Sequence, residues 1–296
     1  MARVVFPAAR PSMNEFPGEA RKVRYACPKC HAPIDVTEIV GDLKCKKCGF
    51  EVRLVGGVPS FTTSRVNEWQ GFFEENAAGP QGDTIAAVEC STTLQHRYIV
   101  AAFRRIIGEI PEAASVLDAG CGNGLLWRDL MGPRPAIGVD FSIGMCALAQ
   151  AKGMTACHAD IAALPFADEQ FDLIYCVGIV HYIVDLHALL AEFARVCRKA
   201  GRIVVSTVDR VSIVRRSLRA WRRLSPREEM PLSYRYIFRT ASEVAAAATG
   251  LPLVLGAVEW THFPLPWTHC SNSADYPLEP LASDAIVEFV KAPPNG

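Results

Sequence analysis

The sequence predicts an α/β fold: a mostly parallel sheet of seven strands with helices on both faces, preceded by a small cysteine-bearing unit. Three observations carry this. Between residues 115 and 209, short apolar runs alternate with amphipathic helical patterns four times over, the order that builds parallel strands joined by crossover helices. The first run, Ser115-Val116-Leu117-Asp118, opens into Ala119-Gly120-Cys121-Gly122-Asn123-Gly124, a turn with glycine at every second position. Near the N-terminus, Cys27-Pro28-Lys29-Cys30 and Cys45-Lys46-Lys47-Cys48 set two C-x-x-C pairs fourteen residues apart.

Composition bounds the function. Half of the 296 residues are hydrophobic, and 31 basic residues balance 31 acidic ones, so the whole chain exerts no net pull on nucleic acid or anionic membrane. No apolar run reaches the length of a spanning helix, so no membrane-spanning segment is expected. Residues 1–20 mix proline, arginine and glutamate without an apolar centre, unlike a secretory signal. Seven of the eleven cysteines are scattered singly through apparent strands and helices, the habit of reduced, buried thiols. A cytoplasmic location follows as an expectation.

In chain order, residues 1–23 carry Pro7, Pro11, Pro17 and Gly18 with few large apolar residues and read as a flexible arm. Residues 24–62 read as a zinc ribbon. Each C-x-x-C pair forms a tight knuckle, and the two knuckles present Cys27, Cys30, Cys45 and Cys48 tetrahedrally to one Zn²⁺. Four protein ligands leave no open position, so the metal is expected to be structural. A redox reading of the pairs lacks a βαβ context, and His31 is expected at the surface. Residues 51–61 then alternate as a strand, turn at Gly56-Gly57, and leave through Phe61.

Residues 63–112 hold Trp69, Phe72 and Phe73, a break at Gly79-Pro80-Gln81-Gly82, and a helical pattern from Thr84 to Ile110. Phe72, Phe73 and Tyr98 are either ordinary core or pocket lining. The main unit, 113–292, begins with the glycine turn. Leu125, Leu126, Trp127 and Leu130 make the following helix, and the glycines let a ligand lie almost against the backbone. The G-x-G-x-G spacing differs from the dinucleotide fingerprint G-x-G-x-x-G. Ala136-Ile137-Gly138-Val139-Asp140 is a second run ending in an acid, which at a strand tip is placed to accept both hydroxyls of a ribose.

Cys157-His158-Ala159-Asp160-Ile161 ends a third run, and Phe171 to Cys176 forms a fourth that leads into His181-Tyr182. An amphipathic helix is expected over Asp185–Lys199 and a fifth strand over Gly201–Asp209. Residues 210–239 read as an insertion. There Val211, Val214, Leu218 and Trp221 form one helical face with Arg215, Arg216, Arg219, Arg222 and Arg223 around it. That basic face is either simply solvated or a phosphate-binding surface. A helix over Ser242–Thr249 and strands over Val254–Thr261 and Ile286–Lys291 complete the unit. Between those strands, the aromatic, proline-rich stretch His262–His269 is placed to overhang a pocket.

Glycine loop, ribose acid, an aspartate after the third strand and the run after the fourth occur here in the order found in class I S-adenosylmethionine (SAM) methyltransferases. Over residues 84–292 the chain resembles that family, in its type 11-like form. The resemblance implies a Rossmann-like sheet and SAM as cofactor. Asp118, Gly120, Cys121, Gly122, Asn123 and Gly124 would hold the methionine half, Asp140 the ribose and Asp160 the adenine. Phe141, Ile161 and Cys176 complete the cofactor set, with Cys121 and Cys176 expected to be small packing residues. The helices of 63–112 would cover the cofactor and shape the substrate mouth.

His181, at the carboxyl end of the fourth strand, is the candidate general base, with packing as its alternative role. Cys176-Val177-Gly178-Ile179 stands where the amino-methylating enzymes carry N/D-P-P-Y, and no Pro-Cys nucleophile is present. The expected activity is methyl transfer to oxygen, nitrogen or carbon of a small molecule. The ribbon also resembles those preceding some methyltransferase domains, including rRNA guanine-N1 enzymes. Those mix histidine into the metal set, whereas this chain offers four cysteines. An rRNA or tRNA base methyltransferase gripping RNA through ribbon and arginine helix is the alternative. A third reading is a non-catalytic SAM-fold docking protein. The oligomeric state is left open.

Overall fold

The computed structural model describes residues 23–35, 43–62, 68–85, 87, 93–132, 134–208, 237–261 and 284–293. The arm up to residue 22, the arginine-rich stretch 211–224 and His262–His269 lie outside the described residues.

The cysteine unit contributes five short strands: β1 (Tyr25–Ala26), β2 (Pro33–Ile34), β3 (Leu43–Lys44), β4 (Glu51–Val55) and β5 (Val58–Ser60). Helices α1 (Glu68–Ala78) and α2 (Thr93–Ile107) follow. The main unit then runs β6 (Val116–Ala119), α3 (Leu125–Met131), β7 (Ile137–Asp140), α4 (Ile143–Ala151), β8 (Thr155–His158) and β9 (Phe171–Cys176). It continues with α5 (Leu186–Val196), β10 (Cys197–Val208), α6 (Ala241–Ala247), β11 (Leu253–Thr261) and β12 (Asp284–Lys291).

The sheet order is β11-β12-β10-β9-β6-β7-β8-β5-β4-β3. Strands β6 to β10 are mutually parallel, while β12 runs antiparallel to β10, and β11 to β12. The seven expected strands are thus present, and three strands of the cysteine unit extend them to ten. Every residue of β6 and β9 is buried, as helices on both faces of a parallel sheet require.

Two helices are shorter than their patterns. The pattern from Thr84 begins as turns, with Thr84 N donating to Gln81 O (2.8 Å); Ala87 is helical, and helix α2 runs from Thr93 to Ile107. Asn123 Nδ2 donates to the carbonyls of Gly82 (2.9 Å) and Thr84 (3.0 Å) in this turn region. Thr84 O also accepts from Ala87 N (3.2 Å). At the other end, α5 stops at Val196 rather than Lys199, because Cys197 already pairs with Phe171 of β9. The register then slips before Arg202, with Ala200 at φ 59°. Within α5, Leu186, Leu189, Leu190, Phe193 and Val196 form the buried stripe, and Asp185 Oδ1 accepts from Ala188 N (2.9 Å) as its N-cap.

The cysteine unit does not stand apart. Cys27, Ile34, Cys45, Phe50, Val52 and Phe61 belong to the same apolar core as Leu117, Val139 and Phe166. Tyr25 stacks on Phe61 at 5.6 Å and packs against Phe166 at 5.3 Å. Backbone bonds from Ala26 N to Pro165 O and from Ala167 N to Arg24 O, both 3.0 Å, stitch the seam.

Candidate functional site

The glycine loop leaves β6 and is bound to the tip of β7. Val139 O accepts from Gly120 N (2.7 Å) and Cys121 N (3.0 Å). Gly120 sits at φ 87°, and a Cβ there would lie 2.4 Å from Ile179 Cγ1, so both conformation and close approach demand glycine. Asp140 closes the arrangement: Oδ2 accepts from Gly122 N and Oδ1 from Ser142 N, both at 2.9 Å. Burial pushes its carboxyl up to about 6, and these N–H groups oppose that rise.

A second buried acid lies beneath the loop. Asp118 faces Tyr175 across the parallel β6–β9 register and accepts from its hydroxyl at 2.9 Å. Its other oxygen, Oδ1, is buried with no partner among the described residues, and burial pushes the group up to about 8. An unpartnered buried acceptor at the root of a glycine loop matches a ligand that brings a donor, above all a cationic one.

The remaining expected residues divide into backbone, core and rim. Asn123 is fully buried, and Leu125 N donates to its Oδ1 (3.2 Å) while its amide holds Gly82 and Thr84. Its side chain is therefore a structural lock, and only its backbone is left for a ligand. Cys121 and Cys176 are buried in the core, where burial raises the Cys176 thiol. Asp160 is exposed and caps its own turn through Ala162 N (2.8 Å), beside the buried Ile161.

Phe141 is half-buried within an aromatic wall that joins α1 to the sheet. Phe73 lies 5.9 Å from Phe141 and 6.1 Å from Tyr182, and Trp69 lies 4.2 Å from Tyr182. The Phe72 and Phe73 rings are 5.2 Å apart. His181 sits in a 3₁₀ turn, Val180–Tyr182, at the carboxyl end of β9, buried with its ring 4.1 Å from that of Tyr182.

Sequence patterns did not single out Glu74, Tyr175 or His158. Glu74, on α1, accepts from Ile143 N (2.6 Å) and Gly144 N (3.0 Å), capping α4 from another element; no local signal marks it. Tyr175 carried a legible hint, a hydroxyl inside an otherwise apolar buried strand, which needs a partner. His158 donates from Nε2 to Phe141 O (3.0 Å) and lies 2.8 Å from Ser60 Oγ through Nδ1.

The four cysteines converge. All four Sγ atoms lie within 4.8 Å of one another, with Cys27–Cys48 at 3.5 Å and Cys30–Cys45 at 3.6 Å. A tetrahedron with metal–sulfur bonds of about 2.3 Å has edges of about 3.8 Å, so the set fits one tetrahedral ion. The knuckles are alike: His31 N donates to Cys27 O (2.8 Å) and Gly49 N to Cys45 O (2.9 Å), with His31 at φ 55° and Gly49 at φ 72°. His31 is exposed and serves the turn, not the cluster. Backbone N–H groups of Cys48 and Lys47 help hold the Cys45 thiol down to about 6.

Residues 117–205 match the model of a methyltransferase domain. A demethylmenaquinone methyltransferase of Mycolicibacterium paratuberculosis is 36% identical over 112 residues, covering 38% of this chain and 48% of the relative. A malonyl-[acyl-carrier protein] O-methyltransferase of Erwinia billingiae is 34% identical over 149 residues, covering 49% and 56%. The chain thus spans about half the length of these curated relatives.

Among solved structures, a chain from the complex of the Haloferax volcanii Trm112 methyltransferase activator is similar in fold. It has a TM-score of 0.56 and 17% identity over 78% of this chain and 100% of that one. A SAM-dependent methyltransferase from Thermotoga maritima gives 0.51 and 20%, over 67% and 91%. Among the described residues no helix is long and apolar enough to cross a membrane. The chain accordingly carries a methyltransferase domain at residues 117–205, set in the Rossmann-like fold of SAM-dependent methyltransferases and joined to an N-terminal four-cysteine cluster.

Proposed function

We propose that the protein is a methyltransferase that takes the methyl group of SAM to a small organic acceptor, with a structural Zn²⁺ on Cys27, Cys30, Cys45 and Cys48. The observation that carries the reading is the pair of buried acids flanking the glycine loop, one with a free acceptor and one poised at the β7 tip. In this reading Asp118 Oδ1 receives the ammonium of the methionine half. The backbone of Gly120 to Gly124 lines the same half. Asp140 takes the ribose hydroxyls, while Phe141, Asp160 and Ile161 border the adenine. Cys121 and Cys176 contribute volume only.

SAM brings a methyl group on a positively charged sulfonium, already activated for transfer. The chain's work is then to align the acceptor and exclude water, which can lower a barrier by about 7–11 kcal/mol. Trp69, Phe72, Phe73, Phe141 and Tyr182 supply an apolar wall suited to a small acceptor with an aromatic or aliphatic body. His181 takes the acceptor's proton where the nucleophile is a hydroxyl or carbon acid, worth roughly 10²–10⁴-fold. Residues 24–62, 63–112 and 113–292 serve as ribbon, cover and catalytic unit. Relatives that methylate small organic groups support the class of acceptor.

A screen of cell metabolites and RNA with methyl-labelled SAM tests this. Label in a small molecule, lost with Asp140→Ala, supports the reading. Label in RNA alone, or none in a protein that fails to bind SAM, contradicts it.

A further inference from the structure

His158 joins two parts of the molecule that sequence patterns treat as separate. Its Nε2 donates to Phe141 O at 3.0 Å, and its Nδ1 stands 2.8 Å from Ser60 Oγ. Because Nε2 carries the hydrogen, Nδ1 is an acceptor and Ser60 the donor, so one neutral imidazole serves both partners. The site is buried: His158 is 6% and Ser60 8% exposed. Ser60 ends β5, the strand that attaches the cysteine unit to the sheet. The two residues are also paired through the backbone, where Phe61 N donates to His158 O at 2.8 Å. From α1, the Gln70 amide approaches Nε2 at 3.5 Å.

The far end of this chain of bonds is the ribose acid. Phe141 C=O and Ser142 N–H are two ends of one planar peptide. His158 holds the carbonyl end, while the N–H end donates to Asp140 Oδ1 at 2.9 Å. Rotating that peptide would break both bonds together. Fixing the carbonyl therefore fixes the donor that orients Asp140.

We propose that His158 is a positioning residue through which the metal-folded cysteine unit sets the affinity of the cofactor site, by the path Ser60–His158–Phe141/Ser142–Asp140. The cysteine unit then acts as an internal brace for SAM binding and not only as a cover for substrate. The inference rests on the SAM reading of the site.

The two amide replacements separate the bonds. In His158→Gln the amide nitrogen reaches the place of Nε2 and keeps the donor to Phe141 O. In His158→Asn the amide oxygen sits near Nδ1 and keeps only the acceptor for Ser60. SAM affinity is measured by calorimetry, with zinc content and melting temperature, for wild type, both variants and Ser60→Ala. His158→Asn, which breaks the link to Phe141 O, is expected about tenfold weaker with zinc retained, as a buried acceptor is left unpaired. His158→Gln and Ser60→Ala, which break the link to the cysteine unit, are expected to lose several-fold, also with zinc retained.

Chelating the metal should weaken SAM binding in wild type, and add little to the loss already present in His158→Asn, since both act on one path. Wild-type affinity in His158→Asn, wild-type affinity in both His158→Gln and Ser60→Ala, or losses in all the variants that merely track melting temperature, would overturn the brace. Unchanged SAM affinity after chelation of the wild type would do the same. Absence of SAM binding by the wild type would instead overturn the cofactor reading beneath it.

Discussion

Asp118 and Asp140 are held above the ordinary carboxylate value, near 8 and 6, chiefly by burial. For a raised carboxylate the sign is definite. From the unfolded value of 3.8 up to the folded one, the folded chain keeps a proton that the unfolded chain releases, so stability falls as pH rises through that window. Ligand donors favour the charged forms and reverse this. SAM affinity is therefore expected to rise with pH through about 6 and to level off above about 8. Near neutrality, binding should release protons, measurable by calorimetry in buffers of different ionisation enthalpy; proton uptake would contradict the assignment. Asp118→Asn should hold or raise the stability of the SAM-free protein above about pH 8, while weakening SAM. A loss of melting temperature there would show that the charge is needed for folding. Gly120→Ala, forced to φ 87° against Ile179, should lose both stability and SAM binding.

At the scale of elements, the loop and its neighbours depend on side chains that cross between segments. Asn123 holds the carbonyls of Gly82 and Thr84, so Asn123→Ala should cost about 1–3 kcal/mol through the two lost bonds, read as a lower urea midpoint. An unchanged midpoint would mean that water replaces the amide. Asp185→Ala should cost about 1 kcal/mol as a lost helix cap. The periodic elements were legible because burial alone specifies them: the α5 stripe and the fully buried β9 follow directly from the order of apolar residues. What escaped was the reach of single polar groups. Asn123 holds the carbonyls of Gly82 and Thr84, far upstream in sequence, and Glu74 caps α4 from α1. Such bonds carry no period and leave no local mark. The glycine loop and its acids were legible because close approach and charge restrict residue type, whereas His158 looked like any histidine at a strand end.

For the whole molecule, the consequential finding is the shared core. Spacing alone suggests that Cys45→Ser melts the ribbon and leaves the larger unit intact. The continuous sheet and the packing of Tyr25 and Phe61 on Phe166 predict a wider effect. Cys45→Ser should lose the metal and lower the melting temperature of the entire protein in one transition. Two separate transitions, with the upper one at its wild-type position, would show that the units fold independently. The central claim is that the buried acids around the glycine loop hold SAM. Calorimetry of SAM with the wild-type protein and Asp140→Ala tests it most directly. The account predicts binding by the wild type and a loss of about 1.5–3 kcal/mol in the variant, as a charged hydrogen-bond acceptor disappears from the ribose. Equal affinity in the two proteins, or no binding by the wild type, would contradict it.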